Sequence, residues 1–225
     1  MYIGRIMHTE LITIAPDATL VEARDLIERN KIDHLLVVDS SGELKGILSD
    51  RDLKLYWASP ATTLSNHELS YLIEKILVKM IMVKTVKTVA PDTTVERAAL
   101  IMQENNINSL PVMENEKLVG IITSTDVMGV LLEALGMNEE SVRLSVLVDD
   151  RIGKLAEVAD ILRDLAINIE SLVTWPVRRH PGIHQLVIRL SGDDGPKAVV
   201  ALNKNNFKVM TRYVKDLRPY LPNSG

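Results

Sequence analysis

The chain has 225 residues, enough for one large or two modest domains. Its composition is that of an ordinary globular protein, with 46% hydrophobic and 25% charged residues, and the net charge of −4 offers no broad basic field for DNA or RNA. It has no cysteine, which excludes disulfides, thiolate metal sites and cysteine nucleophiles. A secretory leader and an apolar run of roughly 20 residues are both lacking, so we expect a cytoplasmic protein that neither binds nucleic acid nor enters a membrane.

An internal repeat dominates the first half of the chain. Beginning near Ile6 and again near Ile81, matching residues stand 75 positions apart, as in the pairs Thr13 and Thr88, Pro16 and Pro91, Asp17 and Asp92, Thr19 and Thr94. After one deleted position the spacing becomes 74, and the segment 46–52 then matches 120–126. Two copies of a structural unit at this spacing predict a pseudo-twofold pair with a cleft between its halves.

The hydrophobic pattern predicts the order β-α-β-β-α in each copy. Predicted strands cover residues 11–14, 35–38 and 44–48 of the first copy and 88–89, 110–113 and 118–122 of the second. Helices are predicted behind Thr19 and Thr94, which offer capping oxygens, and again behind the third strand of each copy. Between the copies, apolar residues at helical spacing over 67–78 predict a linking helix.

A different pattern begins after residue 138 and predicts a second domain. Its predicted strands cover 142–148, 167–173, 184–190 and 207–213, with helices over 155–165 and around 198–202. The order β-α-β-β-α-β is that of a ferredoxin-like arrangement. The fold class is therefore α+β, and the predicted segments are a first repeat (1–58), a linker (59–79), a second repeat (80–137) and the final domain (138–225).

The most specific motif is Gly, two apolar residues, Ser or Thr, two variable residues and Asp, at a strand-to-helix junction. It ends in Ser49-x-x-Asp52 in the first copy and in Thr123-x-x-Asp126 in the second. Helix N–H groups at such a junction suit a phosphate, and the carboxylate can accept hydrogen bonds from both hydroxyls of a ribose. The alternative is a helix cap that needs no ligand.

These two motifs, together with the Thr-x-x-Pro start of each copy, resemble a tandem CBS-domain pair, or Bateman module. The final domain resembles an ACT domain in its strand 142–148 and in the residues Asp150, Gly153 and Leu155, although Ile152 stands where proline is usual. The combination resembles the acetoin-utilisation AcuB-type proteins. The resemblance implies a homodimeric regulatory protein that is not an enzyme, requires no cofactor and acts on a protein partner not yet known.

The resemblance also implies where a regulatory ligand would bind, whether AMP, ADP, ATP or S-adenosylmethionine. Asp52 and Asp126 would hold the ribose, and the backbone at the start of each copy would meet the adenine. The other implied residues face the sugar and phosphate or supply that backbone: Ser49, Arg51, Thr123 and Thr125; His34 and Ser109; Thr13, Ile14, Thr88 and Val89. The pocket is weakly basic, which favours AMP, ADP or an adenosyl compound over a triphosphate, and Thr125 in place of Arg51 predicts two unequal sites.

Alternatives remain at each of these places. For the ACT residues Asp150, Gly153 and Leu155, a small amino-acid ligand competes with a tight turn that needs glycine. The histidines at 180 and 184 are interpreted as part of a surface hairpin loop, and no metal site is expected. For the whole protein, a constitutive interaction scaffold without a nucleotide is the alternative to ligand sensing. An enzyme is disfavoured because no nucleophile, base and orienting group cluster in the sequence.

Overall fold

The computed structural model describes residues 1–56, 75–137 and 140–222. Within these ranges the chain divides into two compact units, residues 1–128 and 129–225. Most of the predicted linker 59–79 and of its helix 67–78 lies outside the described residues.

The first copy of the repeat has the predicted order β-α-β-β-α. Strands β1 (Thr13–Ile14), β2 (His34–Val38) and β3 (Leu44–Ser49) form a sheet in that order, with β1 parallel to β2 and β2 antiparallel to β3. Helix α1 (Leu20–Asn30) connects β1 to β2, and α2 (Asp50–Tyr56) follows β3. The apolar faces of these elements make one core: Ile14, Leu20, Ala23, Ile27, Leu35, Val37, Leu48 and Leu53.

Helix α3 (Val78–Ile81) precedes the second copy, which contains α4 (Val95–Asn105), β4 (Ser109–Glu114), β5 (Lys117–Thr123) and α5 (Ser124–Ala134). The prediction of a first strand at 88–89 in this copy is wrong.

A single parallel bridge from Val89 to Val112 replaces that strand. In the first copy Thr13 pairs with Leu36, whereas the position equivalent to Leu36 is Pro111, which has no N–H to donate to a longer ladder.

The segment that precedes each copy packs on the other copy. In the first leading segment (residues 1–8), Tyr2 bridges to Thr94 and His8 to Ile121; in the second (residues 77–83), Leu77 bridges to Thr19 and Val83 to Ile47. The sequence pattern gave no sign of this exchange. Both copies have equivalent packing surfaces, so periodicity cannot distinguish pairing within a copy from exchange between copies.

Reciprocal capping begins α1 and gives a first prediction. The Thr19 hydroxyl accepts a hydrogen bond from Glu22 N (3.2 Å), and the Glu22 carboxylate accepts one from Thr19 N (2.7 Å). In α4 the Thr94 hydroxyl accepts a hydrogen bond from the backbone N–H of Arg97. The Arg97 side chain has only donors, so it cannot accept a hydrogen bond from the backbone N–H of Thr94 in return. We expect Thr19→Ala to cost about 1–2 kcal/mol of unfolding free energy and Thr94→Ala about 0.5–1 kcal/mol, measured by urea denaturation.

Serine at either position keeps the hydroxyl and serves as the control for this comparison. Equal losses for the two alanine variants, or a loss with Thr19→Ser as large as with Thr19→Ala, would contradict the capping argument.

The second unit has the β-α-β-β-α-β order of a ferredoxin-like fold. The elements are β6 (Ser141–Asp149), α6 (Lys154–Asp164), β7 (Ser171–Pro176), β8 (Ile183–Ser191), α7 (Gly195–Lys204) and β9 (Val209–Met210). The antiparallel sheet has the strand order β7-β8-β6-β9. Alternate residues of β6 and β8 meet the two helices in one core: Leu144, Val146, Val148, Leu186, Ile188, Leu190, Val158, Leu162, Ala198 and Leu202.

Two predicted strands of this unit differ from the structure. The strand predicted over 167–173 begins only at Ser171, because Ala166 has a left-handed backbone (φ 57°) and Ile167 is buried as part of the turn out of α6. The strand predicted over 207–213 is reduced to Val209–Met210. The two aromatic residues of the predicted strand lie in different environments: Phe207 packs against the core, whereas Tyr213 is 88% exposed.

Candidate functional site

Ser49 and Asp52 form a closed hydrogen-bonded pair at the junction of β3 and α2. Asp52 Oδ2 accepts hydrogen bonds from Ser49 N (2.9 Å) and from the Ser49 hydroxyl (2.6 Å), and Ser49 Oγ in turn accepts one from Asp52 N (3.2 Å). Among the described residues, Asp52 Oδ1 has no hydrogen-bond partner. One oxygen of the carboxylate therefore caps the helix, and no residue of the described ranges donates to the other.

The second copy repeats this pair with Thr123 and Asp126. Asp126 Oδ2 accepts from Thr123 N (2.8 Å) and from the Thr123 hydroxyl (2.7 Å). Here the other oxygen is engaged: Asp126 Oδ1 lies 3.0 Å from His8 Nε2. The two copies thus share the cap and differ at the second carboxylate oxygen.

Several backbone N–H groups at these junctions already have acceptors within the protein. Asp50 N donates to Asp33 O (2.9 Å), and Ser124 N donates to Asn108 O (2.8 Å). The N–H of Asp52 is used in the cap described above. Fewer backbone donors are therefore left for a phosphate at the first junction than the motif alone suggests, and side chains would have to contribute.

Two clefts lie between the copies, and each combines the motif of one copy with the leading segment of the other. The first cleft has a volume of about 710 Å³, and the second about 660 Å³. Both are within the range that small-molecule sites occupy. The first cleft is lined by Ser49, Arg51, Asp52, Val83, Lys87 and Asn106, among others, and the second by His8, Glu10, Ile12, Lys31, Thr123 and Asp126.

The first cleft is the more cationic of the two. Arg51 and Lys87 line it, and neither has an ion-pair partner among the described residues, whereas the Lys54 ammonium is paired with Asp50. The second cleft has Lys31 as its one lysine or arginine among the described lining residues. Positive side-chain charge for an anionic group is thus concentrated beside Asp52.

His34 lies at the boundary of both clefts, where its charge is suppressed. Burial lowers the pKa of this imidazole, against the opposite influence of the Asp33 and Asp52 carboxylates. At neutral pH it is therefore a hydrogen-bonding group and not a cation. Ser109, its counterpart, is buried and lines the first cleft.

The Asp126 carboxyl remains ionised although it is partly buried. Burial acts to raise its pKa, but the hydrogen bonds from the Thr123 hydroxyl, the Thr123 backbone and His8 outweigh that effect, and the pKa is lowered. Because an ionised carboxylate only accepts hydrogen bonds, His8 Nε2 must be the donor in their contact.

The structure brings together eight of the twelve residues implied for the nucleotide site. Ser49, Arg51, Asp52 and Ser109 line the first cleft, Asp126 lines the second, and His34, Thr123 and Thr125 line both. Thr13, Ile14, Thr88 and Val89 are not among the lining residues, and Ile14 and Val89 are buried. Their neighbours Ile12 and Lys87 line the clefts instead.

Sequence reasoning missed His8 and Lys87 as cleft residues. His8 ends the first leading segment, and Lys87 follows shortly after the second. Each of these segments packs on the opposite copy. Lys87 could have been found from its position directly before the repeated Thr88. His8 could not, because its counterpart is Val83 and only the exchange of segments brings it to Asp126.

In the second unit, Asp150 and Gly153 belong to the turn between β6 and α6. Asp150 N donates to Gly182 O (2.8 Å), and its carboxylate lies 3.1 Å from His184 Nδ1. Gly153 has φ 91°, a backbone conformation that favours glycine, so the turn alone accounts for this residue. Leu155 is 48% exposed on the first turn of α6.

Within the described ranges, no group of three or more His, Asp or Glu side chains is arranged to hold a metal ion. Likewise, none of the helices in those ranges combines the length and apolar character needed to cross a membrane.

Comparison with known proteins accounts for the repeat. The family model described as "CBS domain" matches residues 3–59 and 78–133. A CBS domain-containing protein of Dictyostelium discoideum is 34% identical over 134 residues, which are 59% of this chain and 92% of that protein.

A solved structure named as an acetoin utilization protein (AcuB) from Vibrio cholerae is 31% identical, with a TM-score of 0.50. The match covers 62% of this chain and 96% of that one.

One relative is named as an enzyme. The homoserine O-acetyltransferase of Methanosalsum zhilinae is 32% identical over 126 residues, which are 56% of this chain and only 23% of the enzyme. The chain therefore spans about a quarter of that relative. Taken with the paired motifs and the matched residues, these findings show that the chain belongs to the CBS-domain family.

Proposed function

We propose that this chain is a non-enzymatic regulatory protein whose CBS pair binds an adenine nucleotide or adenosyl ligand. One observation carries the proposal: a cleft between the copies contains Asp52 Oδ1, to which no described residue donates, together with Arg51 and Lys87, which form no ion pair with any described residue. A ribose diol donates two hydrogen bonds, and a phosphate or carboxylate requires positive charge. A nucleotide has both groups in one molecule.

The charges of the first cleft favour a ligand that carries less negative charge than a triphosphate. Arg51 and Lys87 provide two cations, while Asp33 and Asp50 line the same cleft and His34 is neutral near pH 7. That balance suits AMP, ADP or S-adenosylmethionine better than ATP. No further cofactor is needed for binding of this kind.

Regulation would follow from the position of the cleft. A ligand bound there touches β3 and α2 of the first copy and the second leading segment together. It would shift the packing of the copies by its differential affinity for the two arrangements, typically about 1–3 kcal/mol. We propose that this shift is transmitted to an unidentified protein partner or within a homodimer.

For the second unit we propose an ACT domain over residues 138–225, following the predicted segments 1–58, 59–79 and 80–137. Its ferredoxin-like sheet order and the turn containing Asp150, Gly153 and Leu155 support that assignment. The turn would take a small effector such as an amino acid. With a CBS pair similar to the Vibrio cholerae structure, the chain would be an AcuB-like protein of the cytoplasm.

A constitutive scaffold is the second candidate, and the capping bonds favour it. Ser49 with Asp52, and Thr123 with Asp126, satisfy one another without a ligand. Under this hypothesis the repeated motif would serve helix formation alone, and the clefts would bind no nucleotide.

Thermal unfolding with AMP, ADP, ATP and S-adenosylmethionine, added singly, separates the two candidates. At roughly 100-fold excess over Kd, a ligand that binds only the folded chain adds about 2.7 kcal/mol to the unfolding free energy. We expect that shift with at least one of these compounds and its loss in Asp52→Ala.

Asp17→Ala is the matched control, because Asp17 is an exposed carboxylate outside both clefts that pairs with Lys79. It should keep the full ligand shift. The absence of a shift with all four compounds would reject sensing and favour the scaffold, and a shift that survives in Asp52→Ala would reject the assigned site.

A further inference from the structure

The two CBS carboxylates differ in how many hydrogen bonds they can still accept. An ionised carboxylate has about four acceptor positions. The helix cap takes two of them in each copy, both on Oδ2. As far as residues 1–56, 75–137 and 140–222 are concerned, Asp52 therefore keeps both positions on Oδ1, enough for the two hydroxyls of a ribose. Asp126 keeps one, because His8 Nε2 already donates to its Oδ1 at 3.0 Å.

The backbone holds His8 at this place. His8 N donates to Ile121 O (2.9 Å), and Ile121 N donates to His8 O (3.0 Å). In the first cleft the equivalent pair of bonds joins Val83 to Ile47, at 2.9 and 3.0 Å. The two side chains therefore occupy corresponding positions at the two clefts, and only histidine can hydrogen-bond to the carboxylate.

We propose that His8 is a specificity-determining residue that closes the second cleft to a ribose, so that the chain binds one adenosyl ligand, in the first cleft. The inference rests on the proposed function, since it assigns the ribose to Asp52. A ligand entering the second cleft must displace His8 from Asp126 before its hydroxyls can bind. Arg51 and Lys87, which have no cationic counterparts at Thr125 and Ile12, favour the first cleft further.

Calorimetric titration with AMP tests the inference on the full chain. We expect one site per chain, lost in Asp52→Ala and retained in Asp126→Ala. His8→Val, which copies the residue of the first cleft, should reveal a second site whose affinity for AMP is about tenfold or more above that of the native second cleft. The exchange in the other direction, Val83→His, should weaken the first site about tenfold.

The possible outcomes distinguish a failure of the role proposed for His8 from a failure of nucleotide binding itself. Two equal sites in the native chain, a single site lost in Asp126→Ala, or one site only in His8→Val would each overturn the role of His8 while leaving nucleotide binding intact. If neither AMP nor S-adenosylmethionine binds the native chain or any of these variants, both the proposed function and this inference are wrong.

Discussion

Ile3→Ala is expected to lower the unfolding free energy of the CBS unit by about 2–5 kcal/mol. The Ile3 side chain is fully buried (0% exposed). Its N–H donates to Thr93 O and that of Gly4 to Pro91 O, both at 2.8 Å, so the first leading segment is fixed against the second copy. Removing three carbons there leaves a cavity that the fixed backbone cannot close.

Urea denaturation followed by circular dichroism would measure the loss. Met80→Ala is the control, since Met80 is 63% exposed on the second leading segment and its truncation should change stability by less than about 0.5 kcal/mol. Similar small effects for Ile3→Ala and Met80→Ala would show that the first leading segment is not part of the core in solution.

Local pattern was sufficient to predict most of the elements. The alternation of apolar residues in β6 and the helical spacing of Leu20, Ala23 and Ile27 each reflect one buried face, and the structure places those faces in the cores. Prediction was wrong where a single residue interrupts pairing, as at Pro111, or where an apolar residue is buried in a turn, as at Ile167. In both cases the contacts made in the folded chain, and not the local hydrophobic pattern, determine whether a strand forms.

The repeated motif identified the two carboxylates but not their surroundings. Asp52 and Asp126 occupy matching positions of the motif, and the sequence distinguishes their surroundings by residues such as Arg51 against Thr125. Their difference arises from His8 and Val83, which reach them across the pair. Such a contact depends on which copy each leading segment packs against, and no local sequence pattern indicates that pairing. Which residues bind a ligand, and where the domains end, remain predictions.

The exchange of leading segments also explains the glycine of the motif. A Cβ on Gly46 would lie 2.7 Å from Met82 Sδ and 2.9 Å from Val83 O, both closer than a carbon tolerates. On Gly120 it would lie 2.5 Å from Met7 Sδ but 3.2 Å from His8 O. A thioether can swing aside, whereas a backbone carbonyl held in a bridge cannot. The glycine thus permits the close approach that builds each cleft wall.

We therefore expect Gly46→Ala to destabilise the CBS unit by about 1–3 kcal/mol and Gly120→Ala by less. Gly129→Ala is the control: its Cβ meets nothing within 4 Å on α5, and alanine there should stabilise by up to about 1 kcal/mol. Because the Val83 wall of the first cleft would shift, Gly46→Ala should also weaken AMP binding, while Gly129→Ala should not. A Gly46→Ala chain as stable as Gly129→Ala, with unchanged AMP affinity, would contradict this account of the motif.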